Sequence, residues 1–205
     1  VTLSPGPSLE ERRRLFSLQE EIASEINLAD RFSETVIGGV DQAFVSREDG
    51  KELVVSGAVA FDSSLRLISN SWTALETNFP YLPGLLSFRE GPAALEAVER
   101  LEKRPTLLFV DGCGINHPRR AGLASTIGVA LNVPTVGVSK NVLCGTFDPP
   151  GRVGDASPLV YEGERVGYIL LSKKGCRPIV VAPGTGVSVD SALDLARRYL
   201  RDHKL

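Results

Sequence analysis

Near the start of the chain, Leu15, Leu18, Ile22 and Ile26 recur at intervals of three and four, which predicts a helix over about residues 9–27 with one apolar stripe. Ser8-Leu9-Glu10-Glu11 opens it as a capping box: the Ser8 hydroxyl takes an orphan backbone amide while Glu11 reaches back. Residues 36–45, 53–61 and 66–75 are β-like, rich in Val and Ile at alternating apolar positions. The short polar turns Arg47-Glu48-Asp49-Gly50 and Asp62-Ser63-Ser64 join them, so a three-stranded antiparallel meander is expected. Pro80-Tyr81-Leu82-Pro83-Gly84 can be neither helix nor central strand. Leu85, Phe88, Leu95, Val98 and Leu101 then mark a helix to about residue 103. A strand at 106–110, a helix near 120–131 and a strand at 134–138 follow, and this alternation implies parallel pairing. Residues 141–165 read as loop, with Pro149-Pro150-Gly151. Strands at 166–172 and 178–182 and a helix from about 189 to 203 complete the pattern.

Three antiparallel strands followed by β-α-β-α is the order of an α/β, ribonuclease H-like mixed sheet flanked by helices. The 205 residues suit one such domain, with the amino-terminal helix packed on it. Composition narrows the function. A net charge of −2 argues against a protein that coats nucleic acid, though not against an enzyme gripping a few phosphates. No run of about 18 apolar residues exists to cross a membrane. The polar start, Val1-Thr2-Leu3-Ser4-Pro5-Gly6-Pro7, lacks the apolar core of a signal peptide, so a cytoplasmic protein is expected. Cys113, Cys144 and Cys176 are odd in number and far apart, which speaks against disulfides and structural zinc. Cys113 is either a nucleophile or a small residue in a tight turn; with no histidine positioned to activate it, the turn is the better reading.

The candidate chemistry centres on Leu108-Phe109-Val110-Asp111-Gly112-Cys113-Gly114, an apolar strand ending in a carboxylate and a glycine turn. The basic cluster His117-Pro118-Arg119-Arg120 follows it. Open α/β sheets bind their ligands at this carboxyl edge. Asp41, flanked by Val40 and Ala43, lies in a strand expected beside 106–110, where it can face Asp111. Glu90 comes from the helix after the meander. Three hard oxygen donors suit Mg²⁺ or Mn²⁺ rather than zinc. Such ions activate a water and stabilise a leaving alkoxide at phosphorus. Lys140, just beyond Val136-Gly137-Val138, falls at the same edge and can hold the attacked phosphate or the nucleophilic water.

Over nearly its whole length the chain resembles the endonuclease V family. The matching motifs are Gly39-Val40-Asp41, Phe79-Pro80-Tyr81-Leu82-Pro83-Gly84-Leu85-Leu86-Ser87-Phe88-Arg89-Glu90, Val110-Asp111-Gly112 with His117-Pro118-Arg119, Pro134-Thr135-Val136-Gly137-Val138 leading to Lys140, and Val187-Ser188-Val189-Asp190-Ser191-Ala192. The resemblance implies metal-dependent cleavage of DNA that carries deoxyinosine, at the second phosphodiester 3′ to the lesion, leaving a 3′-hydroxyl and a 5′-phosphate. It makes Asp41, Glu90 and Asp111 the metal-binding carboxylates, with Mg²⁺ as cofactor and Mn²⁺ as substitute, and Lys140 the catalytic lysine. Pro80, Tyr81, Leu82 and Pro83 match the wedge that parts the strands beside an extruded base. Gly84, Leu86, Gly112 and Gly114 are expected to form the base pocket, and Arg89, His117, Arg119 and Arg120 to contact phosphates. The Lys173-Lys174 pair is equally a phosphate contact or a solvated turn.

Two positions depart from the family pattern. Thr185 stands where relatives usually carry a histidine near the metal, and Thr126 replaces another. Threonine cannot shuttle protons as imidazole can. One alternative to a DNA-directed enzyme is therefore an inosine-binding protein with weak or no catalysis; another, since some members of the family it resembles favour inosine in RNA, is an inosine-directed ribonuclease. His203 is expected in a terminal helix turn, and the protein is expected to act as a monomer.

Overall fold

The structure, a computed structural model, describes residues 6–49 and 51–199. Expectations for residues 1–5, Gly50 and 200–205, His203 among them, lie outside the described residues.

Helix α1 (Leu9–Ser24) starts on the capping box as expected, with Glu11 N donating to Ser8 Oγ at 3.2 Å and Ser8 N to Glu11 Oε2 at 2.7 Å. Its packing differs from the apolar stripe. Leu18 is exposed, and the one wholly buried residue is polar, Gln19. The helix thus lies on the surface and is held by hydrogen bonds as much as by burial.

Strands β1 (Val36–Ser46), β2 (Glu52–Asp62) and β3 (Leu67–Thr77) form the antiparallel meander. Helix α2 (Leu86–Glu99) leads to β4 (Leu107–Asp111), then α3 (Leu123–Leu131) and β5 (Thr135–Ser139). β4 pairs in parallel with both β1 and β5. The expected loop over 141–165 contains a strand, β6 (Ala156–Tyr161), which forms a hairpin with β7 (Glu164–Leu170). Glu162 (φ 54°) and Gly163 (φ 79°) make its two-residue turn, whose pair of positive φ values matches the twist of the strands. Pro158 is tolerated because β6 is an edge strand. β8 (Ile179–Pro183) and α4 (Val189–Tyr199) end the described chain.

The result is one eight-stranded mixed sheet, β3-β2-β1-β4-β5-β8-β7-β6, of ribonuclease H-like architecture. α2 and α3 bury Val40, Ala58, Leu108 and Val110 on one face. α4 covers Val136, Val138, Val181 and Leu170 on the other. Among the described residues that second face is covered over the β5, β8 and β7 half. Over β1, β2 and β3 the described residues leave it open, with Trp72 and Val45 exposed. No helix among the described residues is long and apolar enough to cross a membrane.

Candidate active site

Parallel pairing of Val40 with Val110 brings Asp41, midway along β1, beside Asp111 at the carboxyl end of β4. Asp41 is exposed rather than buried, because β1 runs on past the end of β4 and keeps only β2 as a neighbour. Glu90, in the second turn of α2, shares a pocket wall with Gly112 directly after Asp111. Lys140 follows β5, which pairs Val138 with Asp111, and its Nζ donates to Asp111 Oδ2 at 3.1 Å. Gly137 makes this crowding possible: a Cβ there would lie 2.5 Å from the carbonyl oxygen of Gly112.

The electrostatics are those of crowded negative charge. Partial burial, followed by the repulsion of Asp111, raises the pKa of Asp41 despite a 2.7 Å hydrogen bond from Gln42 N. Burial, then Asp111 and Asp41, pushes Glu90 up to about 7. The hydrogen bond and charge of Asp111 raise the pKa of Lys140, whose amine is an ammonium near neutral pH in any case. Asp41, Glu90 and Asp111 are the hard-oxygen donors able to hold a divalent cation, and their mutual repulsion is what such a cation would relieve. Among the described residues no three His, Cys, Asp or Glu side chains close into a metal cage. The carboxylates face one another without converging, and Lys140 occupies one oxygen of Asp111.

Two cavities flank Asp111 and Gly112. A broad cleft of about 460 Å³ runs from Asp41, Asp111 and Lys140 over the open sheet face. On the other side a narrow pocket of about 50 Å³ is lined by Gly84, Leu86, Ser87, Gly112, His117 and Leu143, together with Glu90. A purine is larger than this, so its entry needs the half-buried Leu86 or Leu143 to yield. Gly114, expected in this pocket, is instead packed so close to β8 that a Cβ would lie 2.1 Å from the Pro183 carbonyl oxygen.

The pocket wall is held unusually firmly. Pro83-Gly84 makes a turn closed by Leu85 N donating to Leu82 O at 2.9 Å, with Gly84 at φ +79°, the pattern of a type II turn. The Gly84 carbonyl then receives Gln19 Nε2, Arg119 Nη2 and His117 Nε2, each at 3.0 Å. Arg119 N donates to His117 Nδ1 at 3.1 Å, which leaves the imidazole proton on Nε2 to bond Gly84. Tyr81, by contrast, is 64% exposed on the preceding loop, where the expected wedge projects from the surface.

The four expected phosphate contacts all have partners within the protein. His117 is buried, and burial lowers its pKa to about 4, so it is a neutral strut and not a cation facing solvent. Arg89 is half-buried, paired with Glu52 and placed over the Phe44 ring. Arg119 also donates to Gln19 Oε1 at 2.6 Å and lies over Phe16, though one side of it remains open to solvent. Arg120 bonds Glu164 at 3.0 Å. The Lys173-Lys174 pair lies in the exposed turn between β7 and β8. Lys140 is the exposed cation beside the carboxylates.

The two threonines correct another expectation. Thr185 is buried, and its N donates to Thr135 Oγ1 at 3.2 Å, at the start of β5, whereas Lys140 lies beyond the end of that strand. It therefore sits a strand length from the carboxylates. Thr126 donates to Gly122 O at 3.0 Å within its own helix. Cys113 also turns inward: burial raises its thiol pKa, in keeping with a turn residue. Three site residues escaped the sequence reading. Gln19 was hidden on a helix read for its apolar stripe. Leu143 lay in a segment read as loop. Ser87 lines the pocket with a buried hydroxyl that has no partner among the described residues, a fact no local pattern signals.

The sequence model of endonuclease V matches residues 20–205. Among solved structures, the endonuclease V of Streptomyces avermitilis is 32% identical, with a TM-score of 0.84 over 98% of this chain and 88% of that one. The catalytic domain of human endonuclease V is 26% identical, with a TM-score of 0.83 over 95% and 90%. Endonuclease V of Ciona intestinalis, in complex with a 24-mer DNA containing an inosine followed by a ribo-adenosine, is 25% identical, with a TM-score of 0.76 over 92% and 89%.

Proposed function

The chain belongs to the endonuclease V family, and on that premise we propose a metal-dependent endonuclease of DNA repair directed to deoxyinosine. Cleavage falls at the second phosphodiester 3′ to the lesion and leaves a 3′-hydroxyl and a 5′-phosphate. The observation that carries this reading is the meeting of Asp41, Glu90, Asp111 and Lys140 between a broad cleft and a narrow pocket. The Ciona relative, solved with inosine-containing DNA, supports the choice of lesion.

Mg²⁺, with Mn²⁺ as substitute, suits three carboxylates, and when bound it supplies an activated water and neutralises charge at the leaving oxygen. Asp41 and Asp111 would hold it and Glu90 would complete the set. Lys140, now on Asp111 Oδ2, would leave that oxygen to the ion and offer a fixed positive charge to the attacked phosphate. A lysine is an ammonium near neutral pH even without the Asp111 contact, so Lys140 serves as an electrostatic clamp rather than a base. Tyr81, stiffened between Pro80 and Pro83, fills the gap in the stack while the base enters beside Gly84 and Gly112. Ser87 offers its unpartnered hydroxyl to the edge of that base. The protein acts as a cytoplasmic monomer in this reading.

A second reading, an inosine-directed ribonuclease, draws on the ribo-adenosine in the Ciona complex. The reading as a binding protein without catalysis rested on Thr126 and Thr185, and their placement away from the carboxylates lends it no support. The test is cleavage of an end-labelled strand with one deoxyinosine, in Mg²⁺ and in Mn²⁺, beside an inosine-containing RNA and the Asp111→Ala protein. One product cut beyond the lesion, absent with Asp111→Ala although that variant stays folded, is the expected result. Near-wild-type cutting by Asp111→Ala would remove the carboxylate from the mechanism.

A further inference from the structure

Asp41 pairs with Gly57, and Gly57 with Trp72, so the three residues form one row across β1, β2 and β3. Directly paired residues of antiparallel strands share a face. That face is the open one, because Ser71, the neighbour of Trp72, turns the other way and donates to Ala97 O of α2. Gly57 has no side chain, and a Cβ built there would meet nothing within 4 Å. The floor between the carboxylate and the indole is therefore bare, and two strand spacings put the ends of the row roughly 10 Å apart. The cleft that starts at Asp41 and Lys140 extends along this floor over Gly57, Val59 and Asn70.

Trp72 is 67% exposed. Among the described residues no ring or cation stacks on it, although Phe44, Phe16, Tyr161 and Tyr168 each carry an arginine. A bare indole on the edge strand of an open sheet is a liability to a protein that gains nothing from it. Asn70, two residues before it on the same face, adds an amide able to reach donors and acceptors.

Resting on the reading as a nuclease, we propose that Trp72 and the Gly57 floor form a stacking platform for a nucleobase of the substrate strand flanking the scissile phosphate. A strand whose phosphate lies at Asp41 and Lys140 must continue across a neighbouring surface; the cleft runs to Gly57 and Asn70, and Trp72 stands at its edge, paired with Gly57 in the same row. Stacking on an aromatic face tolerates any base, which is what a position outside the lesion requires. Specificity stays with the narrow pocket, while Trp72 adds affinity and alignment.

Trp72 is the only tryptophan of the chain, so its emission reports on this site alone. The full-length protein is titrated with a labelled deoxyinosine strand in Ca²⁺, following strand anisotropy for binding and tryptophan emission for stacking. Cleavage kinetics in Mg²⁺ are measured for wild type, Trp72→Ala and Trp72→Phe. In the free protein the indole should be open to acrylamide; saturation with the strand should quench its emission and shield it. Trp72→Ala should raise KM about 5- to 150-fold, the equivalent of one lost base stack, with the loss falling on KM rather than kcat. Trp72→Phe should recover much of it. Binding and cleavage with unchanged emission, an unchanged KM in Trp72→Ala, or an indole already shielded in the free protein would each overturn the platform while leaving the nuclease reading intact. A strand neither bound nor cut by the wild type would overturn both. Should Trp72→Ala fail to fold, the emission and Trp72→Phe measurements still decide.

Discussion

Glu90 sits where burial and the neighbouring Asp111 and Asp41 hold its proton up to about pH 7. A folded-state value above the ordinary 4.5 means that the folded protein binds more protons than the unfolded chain between those limits. Stability of the metal-free protein therefore falls as pH rises through that window and stays lowered above it. Glu90→Gln keeps the shape and removes the charge. Allowing for the part of Glu90 that solvent screens, the variant should be about 1–2 kcal/mol more stable than wild type at about pH 8 and level with it near pH 4. Urea denaturation at both pH values checks this; an equal gain at both would point to packing instead of charge. The placement of Asp111 and Lys140 was legible because they end or follow strands, where ligands gather, and that of Asp41 because its strand was expected beside 106–110. The neutrality of His117 was not, because it comes from burial beneath a loop more than thirty residues away in sequence.

Among the elements, α1 shows how a docking contact can be polar. Gln19 reaches from the helix to the carbonyls of Gly84 and Ala121 and accepts from Arg119. Gln19→Leu takes one bond each from Arg119 Nε and the carbonyls of Gly84 and Ala121 and puts an apolar side chain among them, a loss of about 1–3 kcal/mol. It should also raise KM for an inosine strand, since the pocket wall loses one of three supports, while kcat changes less. Denaturation and steady-state cleavage read the two effects; a stable variant with unchanged KM would cut α1 out of the site. Helix periods and strand alternation revealed all the other elements, with ends shifted by a few residues. β6 stayed hidden because Pro149-Pro150-Gly151 marked residues 141–165 as loop, and the strand itself contains Pro158, which only its edge position excuses. The apolar stripe on α1 misled because burial of Gln19 depends on partners 65 and more residues away.

Across the whole molecule, chemistry and packing lie at opposite ends of the central strands. Thr185 belongs to the packed end, where its methyl lies against Gly128 and its hydroxyl meets Asn27. Thr185→His should not raise cleavage, and forcing an imidazole into this site should cost about 1–3 kcal/mol. A faster enzyme would show that the residue reaches the carboxylates after all. With a net charge of −2, grip on nucleic acid must come from a few local cations, so binding should weaken with salt as counterions are released. A log–log slope of about −2 to −4 in an anisotropy titration is expected for three or four phosphate contacts; a flat line would refute them. The meander and the placing of β1 beside β4 were legible in the sequence, but which end of the sheet Thr185 occupies was not, since it depends on β8 running antiparallel to β5. The triple tether on the Gly84 carbonyl bears on how such a molecule would search a long polymer. The loop beside the wedge is ordered once, when the chain folds, and not again at every encounter. Sampling an undamaged nucleotide then leaves only the unstacking of that nucleotide as a barrier, so dwell time tracks how loosely each base is held in its own helix.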